Sequence, residues 1–327
     1  MVTENQQPGI SVIMVCTRRT RHGRIALSRL ARQTAARQME LILVVPSRKA
    51  ISPKEEDLRR FLNFRILEIG AFRSEADAKA RGVMAASGKL IAFCEDHCFP
   101  AHDWAETYMR RHAEGDWGVV GATICNANPS TAASRGCFLV FYGPFAHPRP
   151  GEEAKALPSN NSAYRAELLQ GLGERLKGAM AAESIYHAEL RRQGNHLCQA
   201  PECRAWHMQP SRIWPAMTEY FFSSRLYAMR RAGGWKPARR WAYVLLSPAM
   251  PLLRAWRALR DGRAAGMSLA LTLSSLPSAF AILCAGTAGE CLGYALGAGN
   301  AERMLMRFGP GREGVYSEDD LAAVARL

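Results

Sequence analysis

The chain has 327 residues, 48% of them hydrophobic, and a formal net charge of +14. That is enough length for one large domain or two medium ones and enough apolar content for a packed core, which excludes a disordered or fibrous chain. The positive charge is not evenly spread: ten Lys and Arg residues between Arg225 and Arg263 surround apolar segments, a pattern that fits anionic lipid and argues against nucleic acid.

The chain opens on a polar stretch, Met1 to Gly9, with no apolar h-region, so no signal peptide is expected. Ile10 to Val15 is a short apolar run and predicts a first strand, followed by the basic loop Thr17 to Gly23. Ile25, Leu27, Leu30 and Ala31 fall at helical spacing and predict a helix over Arg24 to Arg37. Leu41 to Val45 reads as a buried strand stopped by Pro46. Pro53 to Leu62 reads as a polar helix and Phe64 to Ile69 as a third strand. Ser74 to Ala86 is helical, with Ser74 as cap and Asp77 three residues on, and Gly88 as its end. Leu90 to Cys94 is a fourth strand. This alternation predicts an α/β domain with a mostly parallel sheet and helices on both faces.

Glu95, Asp96 and His97 follow the fourth strand directly. Three groups able to bind a hard cation thus stand at the C-terminal end of a strand, the edge where ligands bind in open α/β sheets. The plain alternative is an acid-rich surface turn. Beyond it, Asp103 to His112 predicts a helix, Trp117 to Ile124 a strand, Phe138 to Tyr142 a short strand, and Pro144 to Pro158, with its four prolines, a loop. Ala179 to Gln193 predicts a helix ending at Gly194. The nine cysteines form no CxxC pair and no zinc spacing, and read as reduced, mostly buried thiols.

The C-terminal third changes character. Trp241 to Leu253 is apolar but interrupted by Pro248 and Pro251. From Ala264 to Gly289 no residue is charged. That length suits a single membrane span, a re-entrant or in-plane helix pair, or a soluble core helix, and all three stay open. The expected boundary places one domain over 1–212 and a basic, apolar, membrane-associated helical region over 213–327.

The order of elements and residues resembles family 2 glycosyltransferases of the GT-A fold, of the bacterial kind with a hydrophobic C-terminal tail, over roughly residues 9 to 212. Ser11 to Arg19 corresponds to the family's opening strand and nucleotide loop, which assigns Thr17 and Arg18 to donor binding. Pro46 and Ser47 stand where the family has an acidic residue after its second strand. Ala78-Lys79-Ala80-Arg81-Gly82, running on to Ala86-Ser87-Gly88, resembles the helix before the metal strand and assigns Lys79 to the donor, beside the plain alternative of a solvated helix charge. Glu95-Asp96-His97 resembles the DXD motif. It implies Mn²⁺ or Mg²⁺ held by Asp96 and His97, with Glu95 toward the ribose or the metal.

Pro158 to Arg165 resembles the family's Gly-Gly-Asn loop. It implies Asn160 and Asn161 on the donor sugar and Arg165 on phosphate or the following helix; an Asx-type turn is the alternative. Counting back from Gly194, Glu183 falls on the catalytic-base position, where a helix N-terminus alone would also favour a carboxylate. His207 is implied as a further metal ligand, with His196 competing. Trp104 and Trp206 stack on an acceptor sugar or fill the core.

The activity implied is a metal-dependent, inverting transfer from a nucleotide-diphosphate sugar to a lipid-linked or glycan acceptor, at the cytoplasmic face of the bacterial inner membrane. Two other classes fit less of the pattern. One is a nucleotidyltransferase; the other is a non-catalytic, membrane-docked relative that binds a nucleotide.

Overall fold

A computed structural model describes residues 7–51, 53–148, 153–308 and 315–327. The expected polar start lies mostly outside these residues, as does the middle of the proline-rich loop. The chain forms two compact units. One comprises Met1–Cys125 with Pro148–His207, and the other Asn126–His147 with Met208–Leu327.

The first unit carries the sheet. Its strands are β1 (Ile10–Val15), β2 (Met39–Val45), β3 (Asn63–Glu68), β4 (Leu90–Phe93), β5 (Cys98–Pro100), β6 (Trp117–Asn126), β7 (Ser162–Arg165) and β8 (His196–His207), in the spatial order 3-2-1-4-7-6-8-5. The α/β class expected from the alternation is present. The run β3-β2-β1-β4 is parallel, whereas β7 is antiparallel to β4 and β6, and β5 to β8. The sheet is therefore mixed rather than mostly parallel. β1 and β2 are buried almost throughout, as expected for strands covered on both faces. Ile13, Ile42, Val44, Phe93 and Tyr164 form the centre of its core.

Several local expectations need revision. The first helix is Arg21–Ala31, capped by Thr20, whose Oγ1 accepts from Gly23 N at 3.0 Å. Among the described residues of the second connection, the α-helix is confined to Glu55–Leu58, after a 3-10 turn at Arg48–Ala50. The stretch read as one helix from Ala179 is two, Leu176–Met180 and Glu183–Arg192, and the break makes Glu183 a first helical residue. Gly194 follows with φ +87°, the left-handed stop that glycine allows.

Ser74 caps the helix Glu75–Ala85, accepting from Asp77 N at 3.1 Å. Gly88 is not that helix's cap. Its amide donates to Ser11 Oγ at 2.8 Å, and a Cβ there would stand 2.6 Å from Ser11 N. Glycine is needed for close approach to β1. Ser11 in turn donates to Glu40 Oε2 at 2.5 Å, and Ser87 N donates to the same oxygen at 2.8 Å. Arg65 lies 3.0 Å from Glu40 Oε1. A fully buried carboxylate thereby ties β1, β2, β3 and the turn before β4 together.

In the second unit, the segment read as a short strand at Phe138–Tyr142 is part of a helix, Ala132–Phe141. The helices Ile213–Arg231, Pro237–Leu246, Met250–Ala264 and Leu269–Leu296 follow. Leu269–Leu296 is one continuous helix despite Pro277. It meets Ile213–Arg231 through glycines: a Cβ on Gly289 or Gly293 would reach 2.0 Å from Phe221 O or 2.4 Å from Arg225 O. Small residues four apart let two backbones touch. Ser317, the N-cap of the last helix, Glu318–Arg326, closes a capping box with Asp320. Asp320 also accepts from Asn128 and Ser211.

Candidate metal and donor site

β4 ends at Phe93, and Cys94 N still bonds to Ile13 O at 3.0 Å. The chain then turns sharply, closed by Cys98 N on Glu95 O at 3.1 Å. The turn holds Glu95, Asp96 and His97 at the C-terminal edge of the parallel strands. β5 pairs at once with the end of β8, Cys98 opposite His207. Strand pairing therefore brings together residues more than a hundred positions apart.

His207 Nε2 stands 2.7 Å from Glu95 Oε2, and His97 Nε2 stands 3.8 Å from the same oxygen. One ligand atom from each of Glu95, His97 and His207 lies within 4.8 Å of the other two. Two imidazoles and a carboxylate at that spacing suit a divalent transition ion. Asp96, expected at the metal, is turned to His97 instead, with Oδ1 2.8 Å from Nδ1. A carboxylate on the far ring nitrogen fixes the tautomer and aims Nε2. Glu95 takes the place expected of Asp96 among the converging groups.

Burial pushes both carboxyls up, but the neighbouring histidines outweigh it. Glu95 is held well below the ordinary range by His97, His207 and Lys79, and Asp96 is lowered by its bond to His97. Both stay ionised, as metal binding and ring orientation require. His22, in the first turn after the β1 loop, meets His97 edge-on at 6.4 Å. Sequence reading missed it, although its place just after a C-terminal strand end was a usable signal.

A second cluster adjoins the first. Asn160 Nδ2 donates to Glu95 Oε1 at 2.7 Å, and its Oδ1 accepts from Lys79 Nζ. Lys79, buried, also bonds to Glu183 Oε1 at 3.0 Å and pairs with Glu75 at 3.1 Å. A polar chain thus runs Glu183, Lys79, Asn160, Glu95, His207. Lys79 was expected to meet the donor; here three side chains occupy its ammonium. Burial opposes its charge, but Glu183, Glu75 and Glu95 together raise its pKa. Glu75 was not anticipated, though its i,i+4 spacing to Lys79 announces the pair.

Glu183 is 4% exposed. Its Oε2 is buried and has no hydrogen-bond partner among the described residues. Burial lifts its pKa to about 7 against the pull of Lys79. A carboxyl that titrates near neutrality, with one oxygen unengaged, is equipped to take a proton.

The remaining expected residues divide. Thr17 and Arg18 lie in the loop after β1, at the same sheet edge, with Arg18 exposed. Asn161 is fully buried. Its Oδ1 accepts from Cys98 Sγ at 3.2 Å and its carbonyl from Tyr108 Oη at 2.7 Å, so the side chain serves the turn rather than the site mouth.

Arg165 is opposite Leu90, at the start of β4 and away from the site. It donates to Trp117 O at 2.9 Å and Asp116 Oδ1 at 2.7 Å. Asn160 precedes β7 and Arg165 ends it, so the strand does not bring Arg165 to the cluster that Asn160 joins. His196, exposed, faces Glu153. Trp104 is wholly buried against Tyr108. All nine cysteines are free, and six of them are buried.

No family model matches the sequence, and no curated protein matches it. Among solved structures the fold is similar to the mannosyltransferase PcManGT from Pyrobaculum calidifontis, solved with GDP-Man and Mn²⁺. The TM-score is 0.47 at 16% identity, over 98% of this chain and 87% of that one. It is also similar to S. aureus TarS residues 1–349 solved with UDP, with TM-score 0.45 and 11% identity over 86% of this chain and 90% of that one. Against a longer S. aureus TarS chain the TM-score is 0.44 at 11% identity, over 69% of this chain, and the match spans 40% of TarS.

Proposed function

We propose that the protein is a metal-dependent glycosyltransferase of the GT-A, family 2 type. It moves a sugar with inversion from a nucleotide-diphosphate donor to a lipid-linked or glycan acceptor, in cell-envelope synthesis at the cytoplasmic face of the bacterial inner membrane. The observation that carries this reading is the polar chain from Glu183 to the Glu95, His97, His207 cluster.

Glu95, His97 and His207 would hold the cation. Their mixed nitrogen and oxygen donors favour Mn²⁺ over Mg²⁺, which asks for oxygen. When bound, the ion supplies Lewis-acid stabilisation of the diphosphate leaving group. Glu183 takes the acceptor hydroxyl's proton as that oxygen bonds to the anomeric carbon and the bond from that carbon to the diphosphate oxygen breaks. Lys79 orients Glu183 through Oε1 and leaves Oε2 for the proton. Asn160 couples the two halves by holding Glu95 and Lys79 at once. Thr17 and Arg18 flank the nucleotide.

The test is a donor screen by thermal shift, with and without Mn²⁺, including UDP- and GDP-sugars. A rise in melting temperature that needs both Mn²⁺ and one nucleotide sugar is expected, with turnover of that donor. No shift and no turnover across the panel would overturn the reading in favour of a non-catalytic role. Pyrophosphate release from a sugar phosphate and a nucleoside triphosphate would replace it with nucleotidyl transfer.

A further inference from the structure

The long helix of the second unit has a mixed inner face and an apolar outer one. In Leu269–Leu296, Thr272, Ser275, Thr287 and Glu290 are buried together with Ala279, Ile282, Leu283 and Tyr294, while Leu269 and Leu273 are about half exposed. The outward stripe continues through Pro277, Phe280, Cys284 and Ala288, an apolar line at helical spacing. The outward face of a helix in a water-soluble domain is polar instead. About one third of the most apolar stretch of this helix is buried, which leaves the outward stripe unpartnered among the described residues.

The two preceding helices also expose apolar side chains. Trp241, Leu245, Leu252 and Trp256 are each more than half exposed. Exposed Arg257, Arg260 and Arg263 stand beside them. Exposed indoles and leucines next to arginines match the boundary between acyl chains and anionic headgroups.

Internal contacts decide how the long helix meets that boundary. Arg135 donates to Ser275 Oγ at 3.0 Å, and Arg254 holds Glu290 at 2.8 and 3.0 Å. From Ser275 to Glu290 the helix rises only about 22 Å, whereas the hydrocarbon core is about 30 Å thick. A span would draw guanidinium groups into that core at one end or the other. Lying flat costs nothing of the kind, because Arg135 and Arg254 approach from the side opposite the outward stripe.

We infer that the second unit docks in the plane of an anionic bilayer, with the outward stripe of Leu269–Leu296 and the Trp241 to Trp256 face immersed to headgroup depth, and that no part of Leu269–Leu296 crosses. This extends the membrane part of the reading above and is independent of its transfer chemistry.

The full chain is mixed with vesicles of phosphatidylglycerol and phosphatidylcholine, and with pure phosphatidylcholine, without any donor. Flotation with the anionic vesicles, at least tenfold weaker with the neutral ones and with the Trp241→Glu/Trp256→Glu variant, is expected. Binding indifferent to both changes would overturn the proposal. So would failure to float combined with a dimer that the double variant dissociates, which would make the face a contact between copies. Should the variant not fold, depth decides: in a Cys291→Ser background, a fluorophore on exposed Cys284 should be quenched more by shallow than by deep spin-labelled lipid. Stronger quenching by the deep label would mean a crossing helix.

Discussion

His207 Nε2 sits 2.7 Å from Glu95 Oε2, a contact made by strand pairing across the last sheet edge rather than by any local motif. If these atoms and His97 Nε2 share one ion, His207→Ala should weaken Mn²⁺ binding by at least tenfold, read by titration calorimetry with folding checked by circular dichroism. Unchanged affinity would remove His207 from the ligand set.

Asp96 Oδ1 meets His97 Nδ1 at 2.8 Å, which in the proposed site orients the ring. Asp96→Ala should lower Mn²⁺ affinity about 10–100-fold, and Asp96→Asn, which can still accept from Nδ1–H, should restore most of it. If the two variants lose equally, or Asp96→Asn loses more, Asp96 is a ligand itself.

Glu183→Gln keeps the volume and removes the proton acceptor. Turnover should fall about 10²–10⁴-fold, with nucleotide affinity nearly unchanged. As the proposed base, Glu183 would have to be ionised, and burial lifts its pKa to about 7, so the rate should rise with pH and level off above that value. A flat profile from pH 5.5 to 8.5 would exclude this assignment. The same raised pKa works against the fold: native protein binds the extra proton, so this group's contribution to stability falls as pH rises from about 4.5 to about 7.

Lys79 is a buried cation among three carboxylates or amides. Lys79→Met should cost about 3–5 kcal/mol, because it leaves the buried Glu183 uncompensated. In the protein that remains folded, the Glu183 limb should move to higher pH. Chemical denaturation and the pH profile report the two effects separately.

Glu40 accepts from Ser11 and Ser87 N, and Arg65 pairs with it. Glu40→Gln should destabilise by about 3 kcal/mol with Mn²⁺ affinity unchanged, as this carboxylate lies toward the opposite end of β1 from the cluster. A loss of metal affinity in folded variant protein would contradict that placement.

Much of the first unit was readable because its strands are continuous apolar runs and its helices carry local punctuation. Ile10–Val15 and the Ser74 cap are where the pattern puts them. What the chain hides is whatever depends on pairing between distant segments. Leu90 opposite Arg165 carries that guanidinium away from the site although Asn160, five residues earlier, is in it. Phe138–Tyr142 looked like a strand because it is apolar and aromatic; Thr131 capping Ser134 N at 3.1 Å starts a helix there instead. Glu95 and Asp96 are adjacent acids, and only the position of His97 Nδ1 tells which one faces the other ligands. Glu40 reads as a charge inside an apolar strand, and its partners Ser11 and Arg65 become visible only once three strands lie side by side.

The Cys98–His207 pairing has an evolutionary corollary. Side chains along β8 alternate between faces, so deleting a single residue near its C-terminal end would swing the imidazole through the sheet and leave Trp206 or Met208 in its place. Lengthening of the loops before that strand is harmless to the cluster, whereas its final turns of pleat admit no change in length.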